Sequence, residues 1–337
     1  MWRWRLLVEK FILQWHLSEN CNLKCLHCYQ ENHKPVQLKI DELVDIYEQF
    51  KELLSKIQMK GHINLTGGEP FCNPYLFKVL DLIKSDSDNI SFSILTNGTL
   101  ITEELAKKIK TYNPYYVQVS LDGGKKINDY IRGQGVYKKI GNAIKILRKE
   151  NIFTSVSFTA NNLNYKEFPK VVKYATKCGA NNVWSDRYIP LGDLEEKDLT
   201  LNYKQTQDYF KIMKKQRDIA WKKKFETSIS MNRALQFQLN NDFAYGCTAG
   251  KTLLTVMENG DLVPCRRMPI VVGNLLKEKM INIYENSEIL RKLRNENIPD
   301  NCKECDNAET CRGGLKCLSY AIYGDWNVKD IGCSCIS

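Results

Sequence analysis

The chain alternates two kinds of apolar spacing almost from its start. Phe11 to Leu17 is a short, nearly continuous apolar run, which reads as a buried strand over 11–18. Over 39–58, Ile40, Leu43, Val44, Tyr47, Phe50, Leu54 and Ile57 recur at three and four residues, the spacing of one helix face. The two patterns then repeat: strand 62–66, helix 74–85, strand 90–96, helix 102–110, strand 115–121, helix 136–149, strand 153–159, helix 165–178 and strand 182–188. Strands separated by helices are expected to lie parallel in one sheet with the helices outside it, an α/β architecture. Residues 200–242 read as a helical bridge whose charges, Lys222-Lys223-Lys224 among them, form a solvated face. Beyond it, residues 252–264 predict a hairpin turning at Asn259-Gly260.

Composition narrows the picture. A chain of 337 residues, 43% hydrophobic, is long enough for one large domain or a domain with an appendage. The net charge of +10 reads as a solvated basic surface rather than a nucleic-acid footprint, so nucleic acid is not an expected partner. Met1-Trp2-Arg3-Trp4-Arg5 lacks the apolar core of a signal peptide, and no run reaches membrane-spanning length. Thirteen cysteines without an export signal point to metal or cluster ligation in a reducing, cytoplasmic compartment.

The cysteines fall in two territories. Cys21, Cys25 and Cys28 sit within eight residues, just after the first strand. Three thiolates on one loop hold three irons of a 4Fe–4S cube and leave the fourth iron open. The alternatives are a zinc knuckle short of a ligand, or buried thiols. The second territory holds Cys247, Cys265, Cys302, Cys305, Cys311, Cys317, Cys333 and Cys335, the inventory for two four-ligand clusters. A pair of zinc sites is the competing reading there. Cys178, in a helix before Gly179, reads as apolar filler, and Cys72 as core packing with the cavity as its other option.

Cys-x3-Cys-x2-Cys at 21–28 resembles the signature of the radical S-adenosylmethionine (SAM) superfamily. That resemblance implies a partial (β/α)6 TIM-like barrel whose open iron chelates SAM, and reductive cleavage of SAM to a hydrogen-abstracting 5′-deoxyadenosyl radical. It also implies roles for residues at the carboxyl ends of the strands, where such barrels place their chemistry. Thr66-Gly67-Gly68-Glu69-Pro70 resembles the GGEP segment that receives the SAM amino group, with Gly67, Gly68 and Glu69 as its binding residues. Asn97 lies in a turn near SAM, and Ser120 and Arg132 take its carboxylate. Asn161 falls where family members contact the adenosine. Arg187 would bridge SAM and substrate, or else pair with an internal carboxylate.

The second territory resembles the SPASM domain of peptide-modifying members, with two auxiliary 4Fe–4S clusters and so three clusters in all. By that resemblance Cys247, Cys265 and Cys317 serve the first auxiliary cluster, with a fourth cysteine or an open iron. Cys302, Cys305 and Cys311 serve the second, completed by Cys333 or Cys335. Before Cys317 the family's three-residue gap is five here. The implied division is a barrel over 1–199, a helical bridge over 200–245 and a cysteine-rich domain over 246–337.

The implied activity is maturation of a ribosomally made peptide by a side-chain crosslink (thioether, carbon–carbon or ether). The expected partners are a precursor peptide and an electron donor such as flavodoxin or ferredoxin. With only ten residues before the barrel, leader recognition is expected to use a separate leader-peptide-binding protein, the barrel rim or the SPASM surface. Formylglycine maturation is disfavoured, because Arg266-Arg267 follows Cys265 where those enzymes carry an Asp. Peptide epimerisation and tetrapyrrole or quinone-cofactor biosynthesis stay as alternatives. A non-enzymatic iron–sulfur or zinc protein binding nucleic acid would leave the Gly-Gly-Glu-Pro segment and Arg132 without a purpose.

Overall fold

A computed structural model describes residues 10–30, 38–191, 199–239, 246–295 and 297–334. Its core is a parallel sheet built as the apolar spacing predicts. The elements run β1 (Lys10–His16), α1 (Ile40–Ile57), β2 (Lys60–Thr66), α2 (Leu76–Ser85), β3 (Ile90–Thr96), α3 (Glu103–Lys110) and β4 (Tyr116–Ser120). They continue through α4 (Lys125–Arg132), α5 (Val136–Lys149), β5 (Thr154–Ala160), α6 (Phe168–Lys177) and β6 (Asn182–Arg187). Helix α4 is an addition to the expected pattern. Its buried residues are Asn128, Asp129, Ile131 and Arg132, so its inward face is mostly polar.

Alternation along the strands gives the sheet two unlike faces. Register places Leu13 beside Ile63 and Ile63 beside Phe92, and these apolar residues face the helices: the rings of Phe11 and Phe50 of α1 lie 6.2 Å apart. The opposite row runs Gln14, Asn64, Ser93, Tyr116, and farther along the sheet Ser120, Ser157, Trp184. The lumen of the partial barrel is therefore polar, and its groups bond one another. His62 reaches Ser91 Oγ (2.7 Å) and Ser93 Oγ (3.0 Å), the Tyr116 hydroxyl donates to Asn64, and Trp184 Nε1 donates to Gln118 Oε1 at 2.9 Å.

The bridge contains α7 (Tyr203–Lys222) and a short strand β7 (Ser228–Ser230), which extends the sheet beyond β6. At the other edge β8 (Leu253–Val256) pairs in parallel with β1, from Ile12↔Leu253 to Trp15↔Val256. The predicted hairpin forms: β8 and β9 (Asp261–Val263) pair antiparallel, and Gly260 takes a positive φ of 86° at the turn. Strand β10 (Gly273–Asn274) completes the order β10-β9-β8-β1-β2-β3-β4-β5-β6-β7. The helices α8 (Met280–Asn286), α9 (Glu288–Arg294), α10 (Ala308–Cys311) and α11 (Lys316–Tyr323) carry the chain through the second cysteine territory. Among the described residues no helix is long and apolar enough to cross a membrane. Residues 1–9, which bear on leader recognition, and Cys335 lie outside the described residues.

Candidate active site at the carboxyl ends of the strands

The loop after β1 returns over the strand ends, and a cavity of about 190 Å³ opens there. Cys21, Cys25 and Cys28 all line it, and each thiol is partly exposed. Backbone bonds fix the loop: Cys28 N donates to Cys25 O at 3.0 Å, and Leu26 N donates to Ile131 O of α4 at 2.8 Å. Neighbouring donors approach the sulfurs, Asn97 Nδ2 at 3.8 Å from Cys21 Sγ and Arg132 Nη1 at 3.9 Å from Cys25 Sγ. Burial pushes all three thiols up, most strongly Cys21, to about 11. Three thiols with cationic and amide donors at hand, facing a cavity, suit three corners of an iron–sulfur cube.

The Gly-Gly-Glu-Pro segment at the end of β2 works differently from the expectation. Gly68 N donates to Ser18 O and Glu69 N to Asn20 O, both at 2.8 Å, so the segment is laced to the backbone entering the cysteine loop. A Cβ on Gly68 would lie 2.3 Å from Asn20 O, and Gly67 has φ 125°. The glycines thus allow a close approach of two backbone segments. Gly67 and Gly68 line the cavity, whereas Glu69 is fully buried beneath it. Its carboxylate accepts from Thr96 Oγ1 (2.7 Å), Asn97 N (2.8 Å) and Phe71 N (3.3 Å), tying β2 to the end of β3. Burial raises its pKa to about 7 against the pull of those donors. The segment therefore shows its glycine backbone to the cavity, while the Glu69 carboxylate is engaged with β3 beneath it.

Across the mouth, Ser120 at the end of β4 and Arg132 at the end of α4 line the cavity, as the sequence predicts. Arg132 is aimed by a residue the sequence reading passed over. Asp122, fully buried, accepts from Arg132 Nε at 2.6 Å and from Thr159 N at 2.9 Å, and lies 3.4 Å from His27 Nε2. That leaves the outer guanidinium nitrogens for an anion. Asn97 lines the cavity too. Its Oδ1 accepts from Thr99 while its Nδ2 reaches Asn22 Oδ1 at 2.9 Å.

Two further residues stand elsewhere than expected. Asn161 is fully buried and does not line the cavity; its Oδ1 accepts from Leu163 N at 3.0 Å, closing the turn after β5. Arg187 belongs to the outer face, because register pairs it with Ala160 while Asp186 opposite Thr159 points inward. It nevertheless lines the cavity, and Nη1 and Nη2 both bond Asp330, at 2.7 and 2.5 Å. The internal-carboxylate alternative is the one realised. Asp330 also accepts from Leu315 N and Gly332 N, so this buried pair fastens the barrel to the cysteine-rich segment.

In that segment the thiols fall into two groups. Burial pushes Cys317 well up, the charges of Cys265 and Cys247 add to the effect, and Arg267 opposes it. Cys302 and Cys311 are raised by burial and then by Cys333, and Cys305 neighbours Cys302. Cys247, Cys265 and Cys317 are thus neighbours, and Cys302, Cys305, Cys311 and Cys333 form the other set. Among the described residues no three His, Cys, Asp or Glu converge on a single-ion site. Cys178 is buried in the core, and Cys72 is half-buried beside Glu69 without lining the cavity.

Residues 15–175 match the Radical SAM superfamily model, and residues 247–306 match SPASM, an iron–sulfur cluster-binding domain. The chain is 25% identical over 350 residues to an AdoMet-dependent heme synthase of Methanosarcina barkeri, covering 96% of this chain and 95% of that one. It is 26% identical over 329 residues to the mycofactocin maturase MftC of Mycobacterium tuberculosis, covering 91% and 78%. The structure of Streptococcus suis SuiB bound to precursor peptide SuiA superposes with a TM-score of 0.74 at 17% identity, over 97% of this chain and 76% of that one, a likeness of fold.

Proposed function

We propose that this chain, a radical SAM enzyme with a C-terminal SPASM domain, oxidatively modifies a ribosomally made peptide, forming a crosslink between side chains. The observation that carries the reading is the mouth of the barrel: three cavity-lining thiols beside the Gly67-Gly68 backbone, Ser120 and an Asp122-aimed Arg132, above a polar lumen. Bound there, the cluster and SAM would supply a 5′-deoxyadenosyl radical that removes a hydrogen atom from the substrate.

The chain's own residues bind, orient and shield. Cys21, Cys25 and Cys28 would hold the cluster with one iron open. The Gly67-Gly68 backbone would accept from the amino group of SAM, and Ser120 and Arg132 would take its carboxylate. Arg187 and Asp330 hold the cysteine-rich segment against the barrel. The lower thiol sets would hold two auxiliary clusters, Cys247, Cys265 and Cys317 on one and Cys302, Cys305, Cys311 and Cys333 on the other. They would receive the second electron of a two-electron oxidation. The peptide substrate is supported by the SuiB fold, which in that structure is bound to a precursor peptide, and by the maturase MftC among the relatives. Flavodoxin or ferredoxin as reductant and a cytoplasmic setting complete the proposal.

The test is anaerobic. Reconstituted protein with dithionite and SAM should release 5′-deoxyadenosine, and a candidate precursor peptide encoded beside the gene should lose the mass of two hydrogens. Solvent-deuterium uptake without mass loss would replace the crosslink with epimerisation. A second reading, oxidation of a tetrapyrrole side chain, is favoured by the heme synthase of similar length and coverage. It would be chosen if coproporphyrin turns over and the peptides do not.

A further inference from the structure

The cavity wall carries more guanidinium than carboxylate, and the surplus has an address. Among its lining residues, Arg132 is matched by Asp122, Arg187 by Asp330 and Arg267 by Asp186, whose Oδ2 lies 2.6 Å from Arg267 Nη1. Arg266 lines the same cavity and meets no carboxylate among the described residues. Tyr29, also a lining residue, stands beside it on the same wall. Both arginines sit at the corners of a tight turn, closed by Met268 N donating to Cys265 O at 2.8 Å and anchored by the fully buried Met268. The turn sends Arg267 to Asp186 and leaves Arg266 facing the cavity.

A half-buried arginine in a concave wall is a ready partner for an anion. The lumen behind it is hydrogen-bonded, built from Gln118, Ser157, Trp184 and their neighbours, with the Arg233 guanidinium 4.7 Å above the Trp184 ring. Among the described residues no carboxylate is left to pair with Arg266, and the carboxylate of a bound ligand would complete the site. SAM brings one carboxylate, and Ser120 on β4 and Arg132 on α4 are the groups placed for it. Arg266 approaches from the segment after β9, on the opposite side of β1 in the sheet order. We infer that Arg266, with the Tyr29 hydroxyl beside it, is a substrate-recognition site for a carboxylate, an Asp or Glu side chain or the C-terminal carboxylate of the peptide being modified. This rests on the peptide reading above. It narrows the substrate to one presenting an acidic group within reach of the radical's target.

The experiment uses reconstituted, SAM-loaded holoenzyme and two probes, acetyl-Ala-Glu-Ala-amide and acetyl-Ala-Gln-Ala-amide, titrated calorimetrically. The acidic probe should bind about ten- to a hundredfold more tightly than its neutral twin, the range of one charge-assisted contact. Arg266→Gln should abolish that preference and Arg266→Lys should keep part of it, with iron content and cluster spectra showing that both variants fold. Equal affinity for the two probes, no binding of the acidic one, or an unchanged preference in Arg266→Gln would overturn the inference. If Arg266→Gln instead weakens SAM binding tenfold, the site belongs to the cofactor's carboxylate and the inference is wrong. Coproporphyrin III is the second arm. Arg266-dependent binding of its propionates without any peptide preference would likewise overturn the inference in favour of a tetrapyrrole substrate, whereas the reading of SAM chemistry fails only if no 5′-deoxyadenosine forms.

Discussion

The loop at 21–28 and the stretch from 302 to 333 both gather cysteines, and they do so in opposite ways. The first presents its thiols to a cavity and borrows its support from elsewhere, Ile131 of α4 for its backbone and Asn97 and Arg132 for its sulfurs. The second collects Cys302, Cys305, Cys311 and Cys333 within one local fold, with Cys302 and Cys311 buried and none of the four on the cavity. A site meant to react needs an open face and aiming groups from several strands. A site meant to store or pass electrons needs only enclosure. The contrast suggests that damage at the mouth abolishes chemistry while leaving the lower sets filled.

Removing all three thiols at 21, 25 and 28 is the strongest way to test this. Formation of 5′-deoxyadenosine should fall to background by mass spectrometry, while roughly eight of about twelve irons stay bound. Loss of all iron would mean that the two regions assemble as one. Arg187→Met comes next, since it strands a buried Asp330 between them. Stability should drop by about 3–5 kcal/mol in chemical denaturation, and Arg187→Met with Asp330→Leu should recover much of it.

Glu69 gives a pH signature at the mouth alone. Its folded pKa of about 7 lies above the usual 4.5, so the folded state holds this proton more tightly than the unfolded chain. Its contribution is fully present below about pH 4.5 and is lost as pH rises through 7, by up to about 3 kcal/mol. Glu69→Gln should flatten that slope in melting curves taken across the window. The mildest change is Gly68→Ala, whose methyl group meets the Asn20 carbonyl, a backbone atom with little room to yield. It should cost about 1–3 kcal/mol and loosen the cysteine loop, seen as weakened SAM binding before any loss of auxiliary iron.

What the sequence made readable was whatever is decided locally. The barrel strands and most of their helices emerge from apolar spacing because each element sorts its own faces, and Asn259-Gly260 marks its turn without outside help. Chemistry that depends on orientation was harder. Every residue of β6 is buried, so its pattern gives no clue that Asp186 faces the lumen and Arg187 the outer layer. Glu69 finds Thr96 and Asn97 on the next strand, and Arg187 finds Asp330 across 143 positions, distances at which no periodicity speaks. The polar lumen itself was visible in the alternation of Ile90-Ser91-Phe92-Ser93 and Thr154-Ser155-Val156-Ser157, and would have predicted a hydrophilic substrate chamber. Helix α4 went unseen because its buried side is built from an amide, a carboxylate and a guanidinium.

Strand β8 lies along β1 in parallel, with Thr252 O accepting from Ile12 N at 2.8 Å. Without that partner β1 would be a bare margin, its amides and carbonyls free to recruit the same margin of another molecule. A shortened protein ending before residue 246 would therefore be expected to self-associate rather than survive as a simpler catalyst. In this protein the cysteine-rich segment doubles as the selvedge that keeps the fabric from unravelling.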